Sequence, residues 1–93
     1  MDSKLCTNCR KIIEGCKNYG TVHLHIYFHF DKNQKIDNGF LKQLAEMGAT
    51  ETVVIDDDCV VAYVPQDKIT ELEKIEKIYC IEVSGSWLYK NPI

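Results

Sequence analysis

From Thr21 to Phe30 the chain reads TVHLHIYFHF, with Val22, Leu24, Ile26, Phe28 and Phe30 alternating with His23, His25, Tyr27 and His29. A period of two sends successive side chains to opposite faces of a strand. This run therefore predicts a strand with five large apolar groups on one face and three imidazoles and a phenol on the other. A strand of that kind belongs to a sheet that is covered on one side only.

The pattern then changes. Asp31 to Ile36 is a polar turn, and Asp37 is placed to cap a helix running to Met47. Phe40, Leu41, Leu44 and Ala45 share one face of that helix, and Gly48 supplies its stop. Thr50 to Ile55 is rich in β-branched residues and predicts a second strand. Asp56-Asp57-Asp58 is a tight turn, so the apolar run Cys59 to Val64 returns as the other half of a hairpin and ends at Pro65. Gln66 to about Ile75 predicts a helix, with Ile69, Leu72 and Ile75 inward and Lys68, Glu71 and Lys74 in water. Ile78, Tyr79, Ile81 and Val83 mark a last strand.

The order strand, helix, strand, strand, helix, strand, with both helices on the apolar face, predicts an α+β fold. It is a ferredoxin-like βαββαβ two-layer sandwich with a four-stranded antiparallel sheet over residues 21–84. Residues 1–20 form a separate cysteine-containing segment, in which Leu5, Cys9, Ile12, Ile13 and Cys16 have the spacing of a short amphipathic helix. Residues 85–93, GSWLYKNPI, lack periodicity and are expected to be an extended tail.

Composition narrows the function classes. The chain has 93 residues, enough for one modest core. Its net charge of -3, with both signs interspersed, disfavours nucleic acid, which attracts a basic stripe. No run reaches the roughly 18 apolar residues of a membrane span, and Met1-Asp2-Ser3-Lys4 leads into no signal-peptide core. Localisation stays open, and is secretory if the chain is a domain excised from a longer precursor. Five cysteines is an odd number, so at least one thiol is free or pairs between chains.

Three groups of residues carry candidate chemistry. The histidine ladder suits a pH-responsive interface, since imidazoles titrate near ~6.5. It also offers His23 and His25 as metal ligands, joined by Cys80 or Glu82, or it is simply a solvated face. Cys6, Cys9 and Cys16 suit either three thiolate ligands of zinc or a redox pair, and are equally compatible with unpaired thiols in a leader. Asp56-Asp57-Asp58 lacks the spacing, glycine and glutamate of a calcium loop. No phosphate loop, nucleophile elbow or H-E-x-x-H motif is present, which points to a non-enzymatic protein without a cofactor.

The run LKQLAEMGATETVVIDDDCVVAYVPQDKITELEKIEKIYCIEVS resembles the propeptide-like inhibitor domain of subtilisin-type serine proteases. Leu41 and Leu44 before Gly48, the strand Cys59 to Pro65, and the spacing of Ile69, Leu72, Ile78 and Ile81 carry the resemblance over roughly residues 21–84. It implies a protease inhibitor and folding chaperone whose partner is a subtilisin-type serine protease. The sheet face His23, His25, Tyr27, His29 and Glu82 would dock on the enzyme. The tail, with Trp87, Leu88, Tyr89 and Lys90, would lie extended in the substrate cleft. The alternatives are a metal-binding or metal-sensing domain, and a regulatory module, monomeric or dimerised through its sheet.

Overall fold

The computed structural model describes residues 4–15, 17–29, 36 and 38–93. Its elements are α1 (Thr7–Glu14), β1 (Thr21–Phe28), α2 (Asn38–Glu46), β2 (Thr50–Asp56) and β3 (Cys59–Pro65), then a 3₁₀ turn (Gln66–Lys68), α3 (Ile69–Glu73), β4 (Ile78–Val83) and α4 (Gly85–Lys90). The four strands form one sheet in the order β2-β3-β1-β4, and every neighbouring pair is antiparallel. The chain is thus an α+β fold, as the hydrophobic pattern predicts. Each strand–helix–strand connection skips one strand, β1 reaching β2 past β3, and β3 reaching β4 past β1. Asp37 and Phe30 lie outside the described residues, so the cap proposed for α2 and the end of the β1 alternation lie there too.

The alternation in β1 translates directly into burial. Val22, Leu24 and Ile26 have no exposed surface and Phe28 is buried, while the intervening side chains are half-open. Val60, Ala62 and Val64 of β3 and Ile78, Ile81 and Val83 of β4 extend the same inner face. Phe40 and Leu44 of α2 and Ile69 and Leu72 of α3 close over it, Phe40 meeting Phe28 edge-on at 4.4 Å. Each fully buried aliphatic side chain contributes roughly 1.5–3 kcal/mol relative to exposure. The α2 helix ends where Gly48 takes φ +92°, and a Cβ there would sit 3.0 Å from Cγ of Pro65.

Two segments depart from expectation. Residues 4–15 are built into the core instead of standing apart from it. Leu5 bridges Ile81 in parallel, Cys6 N–H donates to the Ile81 carbonyl at 3.0 Å, and Ile81 N–H donates to the Lys4 carbonyl at 2.8 Å. This short strap covers the middle of the β4 edge, and Cys9 and Ile12 of α1 then enter the core. The C-terminal residues are not an extended tail. Gly85–Lys90 forms α4, which buries Trp87 against Tyr19 with ring centroids 5.1 Å apart. The physical cause is the indole itself, an apolar surface of roughly 150–250 Å² that folds back onto the core instead of staying in water.

The opposite edge is different. No strand pairs with the outer side of β2 among the described residues. Val53, Val54 and Ile55 there are 53, 47 and 52 % exposed. The register with β3 shifts between Thr50 and Val53, where Glu51 takes φ 51°, so this edge begins with an irregular step.

Candidate functional site

Two places on this scaffold collect chemically capable side chains. The first is the outer face of the sheet. The registers set His23 opposite Tyr63, His25 opposite both Val61 and Glu82, and Tyr27 opposite both Cys59 and Cys80. Val53 on β2 faces Val61 and adds to the same surface. His23 stacks on Tyr63 with centroids 4.5 Å apart, and the rings of His23, His25 and Tyr27 follow one another at 6.2 and 6.3 Å. The result is a stripe of aromatic rings along β1, flanked by valines on one side and Glu82 on the other.

The electrostatics follow from partial burial. The His23 imidazole is held below its ordinary pKa, first by burial and then by the neighbouring His25, with Glu51 opposing. The Tyr27 phenol is pushed up by burial, with the Cys59 sulfur beside it. Cys59 is itself buried and is pushed up by burial and by Asp58 and Asp56. Cys80 is raised by burial, Glu82 and Cys6.

Of the face residues expected from the sequence, the structure brings His23, His25, Tyr27 and Glu82 together. His29 continues the alternation one step beyond the end of β1, is exposed, and packs edge-on at 5.3 Å to Tyr79, the residue that the register shift leaves unpaired in β4. Of the expected tail anchors, Trp87 is buried and Leu88 half-buried, whereas Tyr89, 89 % exposed, and Lys90 remain open. Tyr63 and Val61 were missed as face residues. The signal was present, because Val60, Ala62 and Val64 alternate with Cys59, Val61 and Tyr63. The apolar character of both sets hid it.

The second place is the start of α1. Cys6 is the N-cap residue, and its sulfur accepts the amide N–H of Cys9 at 3.4 Å. The two sulfurs are 3.4 Å apart. Cys9 is completely buried and donates its S–H to the Ile81 carbonyl at 3.4 Å. Burial, with Cys6 next to it, pushes the Cys9 thiol far above its ordinary value. Cys16, the third member of the expected zinc set, lies outside the described residues. Among the described residues no group of three or more His, Cys, Asp or Glu side chains is placed to hold a metal ion.

An open groove of about 460 Å³ lies elsewhere, between α1 and the 3₁₀ turn, and is lined by Ile13, Asn18, Gly20, Gln66, Asp67 and Thr70. Gln66 is committed to structure there, bonding the Ile12 and Lys17 carbonyls and the Tyr19 amide.

Compared with protein-family models, curated proteins and solved structures, the chain finds no significant match in any of the three. Function therefore rests on the two surfaces themselves. No helix among the described residues is long and apolar enough to cross a membrane.

Proposed function

We propose that the chain is a non-enzymatic protein-binding module that docks through the outer face of its sheet. One observation carries this reading. The core, with buried residues from every helix, occupies one face of the sheet, while His23, His25, Tyr27, Val61 and Tyr63 line the other half-open to solvent. Flat aromatic side chains of this kind offer large contact area at small entropic cost, and aromatic residues are enriched where partners bind. The resemblance to subtilisin-type propeptides supplies the first partner to test, a protease of that class. Insertion of the tail into its cleft would require α4 to unfold and Trp87 to leave the core. The proposed contact is therefore the sheet face alone.

The test is inhibition of a subtilisin-type protease by the purified chain and two variants. His25→Glu with Val61→Lys places charge at the centre of the face without entering the core. Tyr89→Ala removes the most exposed tail anchor. The proposal expects the first variant to lose inhibition by at least tenfold and the second to retain it. The reverse pattern transfers the contact to the tail, and proteolysis of the chain without inhibition rejects this class of partner.

A second reading, a sheet-paired dimer, is favoured by the half-exposed Val53, Val54 and Ile55 on the β2 edge, which no strand pairs among the described residues. Solution mass by light scattering decides it, since Val54→Lys should convert such a dimer to monomer.

A further inference from the structure

The Cys6-Thr7-Asn8-Cys9 motif opens an eight-residue helix, and the fold gives its two thiols unequal surroundings. Cys6 is partly exposed at the helix start, whereas Cys9 has no exposed surface. Helix geometry puts residues three apart on the same side of the first turn, with Cα atoms roughly 5 Å apart. That lies inside the ~4.4–6.8 Å range over which a disulfide closes. The sulfurs already touch at 3.4 Å, and side-chain rotation closes the remaining distance. A bond here would enclose so short a loop that it adds little as a structural staple, because loop entropy grows with loop length. Its value is chemical.

We propose that Cys6 and Cys9 form a reversible dithiol–disulfide pair that exchanges with small disulfides of the glutathione class. Access sets the order of events. The Cys6 thiolate attacks one sulfur of the external disulfide, forming a mixed disulfide on Cys6 and releasing one external thiolate, which takes up the proton that Cys6 gave up. Cys9 then attacks the Cys6 sulfur. The Cys6–Cys9 bond forms, the mixed disulfide breaks, and the second external thiolate leaves with the Cys9 proton. Two protein thiols are oxidised by two electrons, and one external disulfide is reduced to two thiols. A dithiol reductant reverses the sequence. Burial keeps Cys9 protonated while the pair is reduced, so Cys6 reacts first and Cys9 resolves. Oxidation also withdraws the S–H that Cys9 donates to Ile81, the residue that holds the strap on the β4 edge. The inference is independent of the docking proposal, since Cys6 and Cys9 are not among the side chains of the proposed face.

The test equilibrates the full chain with graded mixtures of reduced and oxidised glutathione. Acid quenching, alkylation and peptide mapping by mass spectrometry then locate every bond. The expected result is a Cys6–Cys9 linkage that rises with the oxidised fraction and disappears with dithiothreitol. Cys9→Ala should accumulate glutathione on Cys6, and Cys6→Ala should leave Cys9 unmodified, with circular dichroism showing both variants folded. Because Cys9→Ala opens a small gap in the core, a second readout uses the unaltered chain. A brief pulse of iodoacetamide on the reduced protein should label Cys6 at least tenfold faster than Cys9. Cys6 and Cys9 remaining free thiols at every ratio, Cys6 bonded to Cys16 or Cys80, or glutathione found first on Cys9 would each overturn the proposal.

Discussion

Removing the Trp87 ring tests the most consequential departure of the fold from its sequence. Trp87 is 7 % exposed, lies on a six-residue helix, and meets Tyr19 edge-on at 5.1 Å. An indole buries about 150–250 Å², which at about 25 cal/mol per Å² sets an upper limit of about 4–6 kcal/mol. Alanine recovers part of that burial, and a helix as short as α4 relaxes into the gap, so Trp87→Ala should cost about 3 kcal/mol, at the low end for large-to-small aromatic substitutions. For a chain of this size that lowers the melting temperature by about 12–24 °C. In urea, with a slope of about 1–3 kcal/mol per molar, it lowers the midpoint by about 1–3 M. Far-UV circular dichroism follows the unfolding. Trp87 is also the single tryptophan of the chain, so its fluorescence in the unsubstituted protein should change in the same urea transition as the dichroism. A loss below about 0.5 kcal/mol, typical of surface substitutions, or fluorescence indifferent to core unfolding, would refute the packing of α4 and return residues 85–93 to a free tail.

Two further outcomes follow from local geometry. Gly48→Ala must adopt a left-handed φ of +92° and crowd Pro65 Cγ at 3.0 Å, so it should lose about 1–2 kcal/mol in urea unfolding. Gly20→Ala, at φ +78° with open space around it, should lose less, and equal losses would mean that the Pro65 contact is immaterial. The His23 imidazole has a folded pKa below its unfolded value, so between the two the unfolded chain binds more protons. Its contribution to stability is complete above about pH 6.5 and is lost as pH falls through the lowered folded value. His23→Gln should accordingly show a smaller drop in urea midpoint between pH 7 and pH 5 than the unsubstituted chain, and an identical drop would refute the role given to its burial.

The sheet was legible because one face of β1 meets water and the other meets the core, which imprints a period of two on the residues from Val22 to Phe28. The helices α2 and α3 were legible for the same reason at a period near 3.6, down to the stop at Gly48. What escaped depends on distant partners. The strap acquires its meaning from Ile81, and α4 is too short to display a period, its burial being decided by Tyr19 far earlier in the chain. At the candidate face, His23, His25, Tyr27 and Glu82 could be placed from alternation, whereas Tyr63 lies in a run that is apolar on both faces, and the register between β1 and β3 sets it against His23. The neighbour of His29 could not be read either, because Tyr79 meets it only through the extra residue that the register shift leaves in β4. The closeness of Cys6 and Cys9 follows from helix geometry, but the burial of one and not the other follows only from where α1 lands.

The two edges of the sheet, one strapped by residues 4–6 and one bare along β2 among the described residues, give the molecule a valence. A strand edge acts as a reactive end, and a sheet with two such ends is a bifunctional monomer able to grow without limit. With the middle of β4 already bonded through Lys4 and Cys6, the described residues leave one such end, along β2. A second copy joining along Val53, Val54 and Ile55 would consume the remaining end of both molecules, and the chain-growth reaction would terminate at two. Detaching the strap would raise that valence to two, and a unit that could pair only once would then be able to propagate.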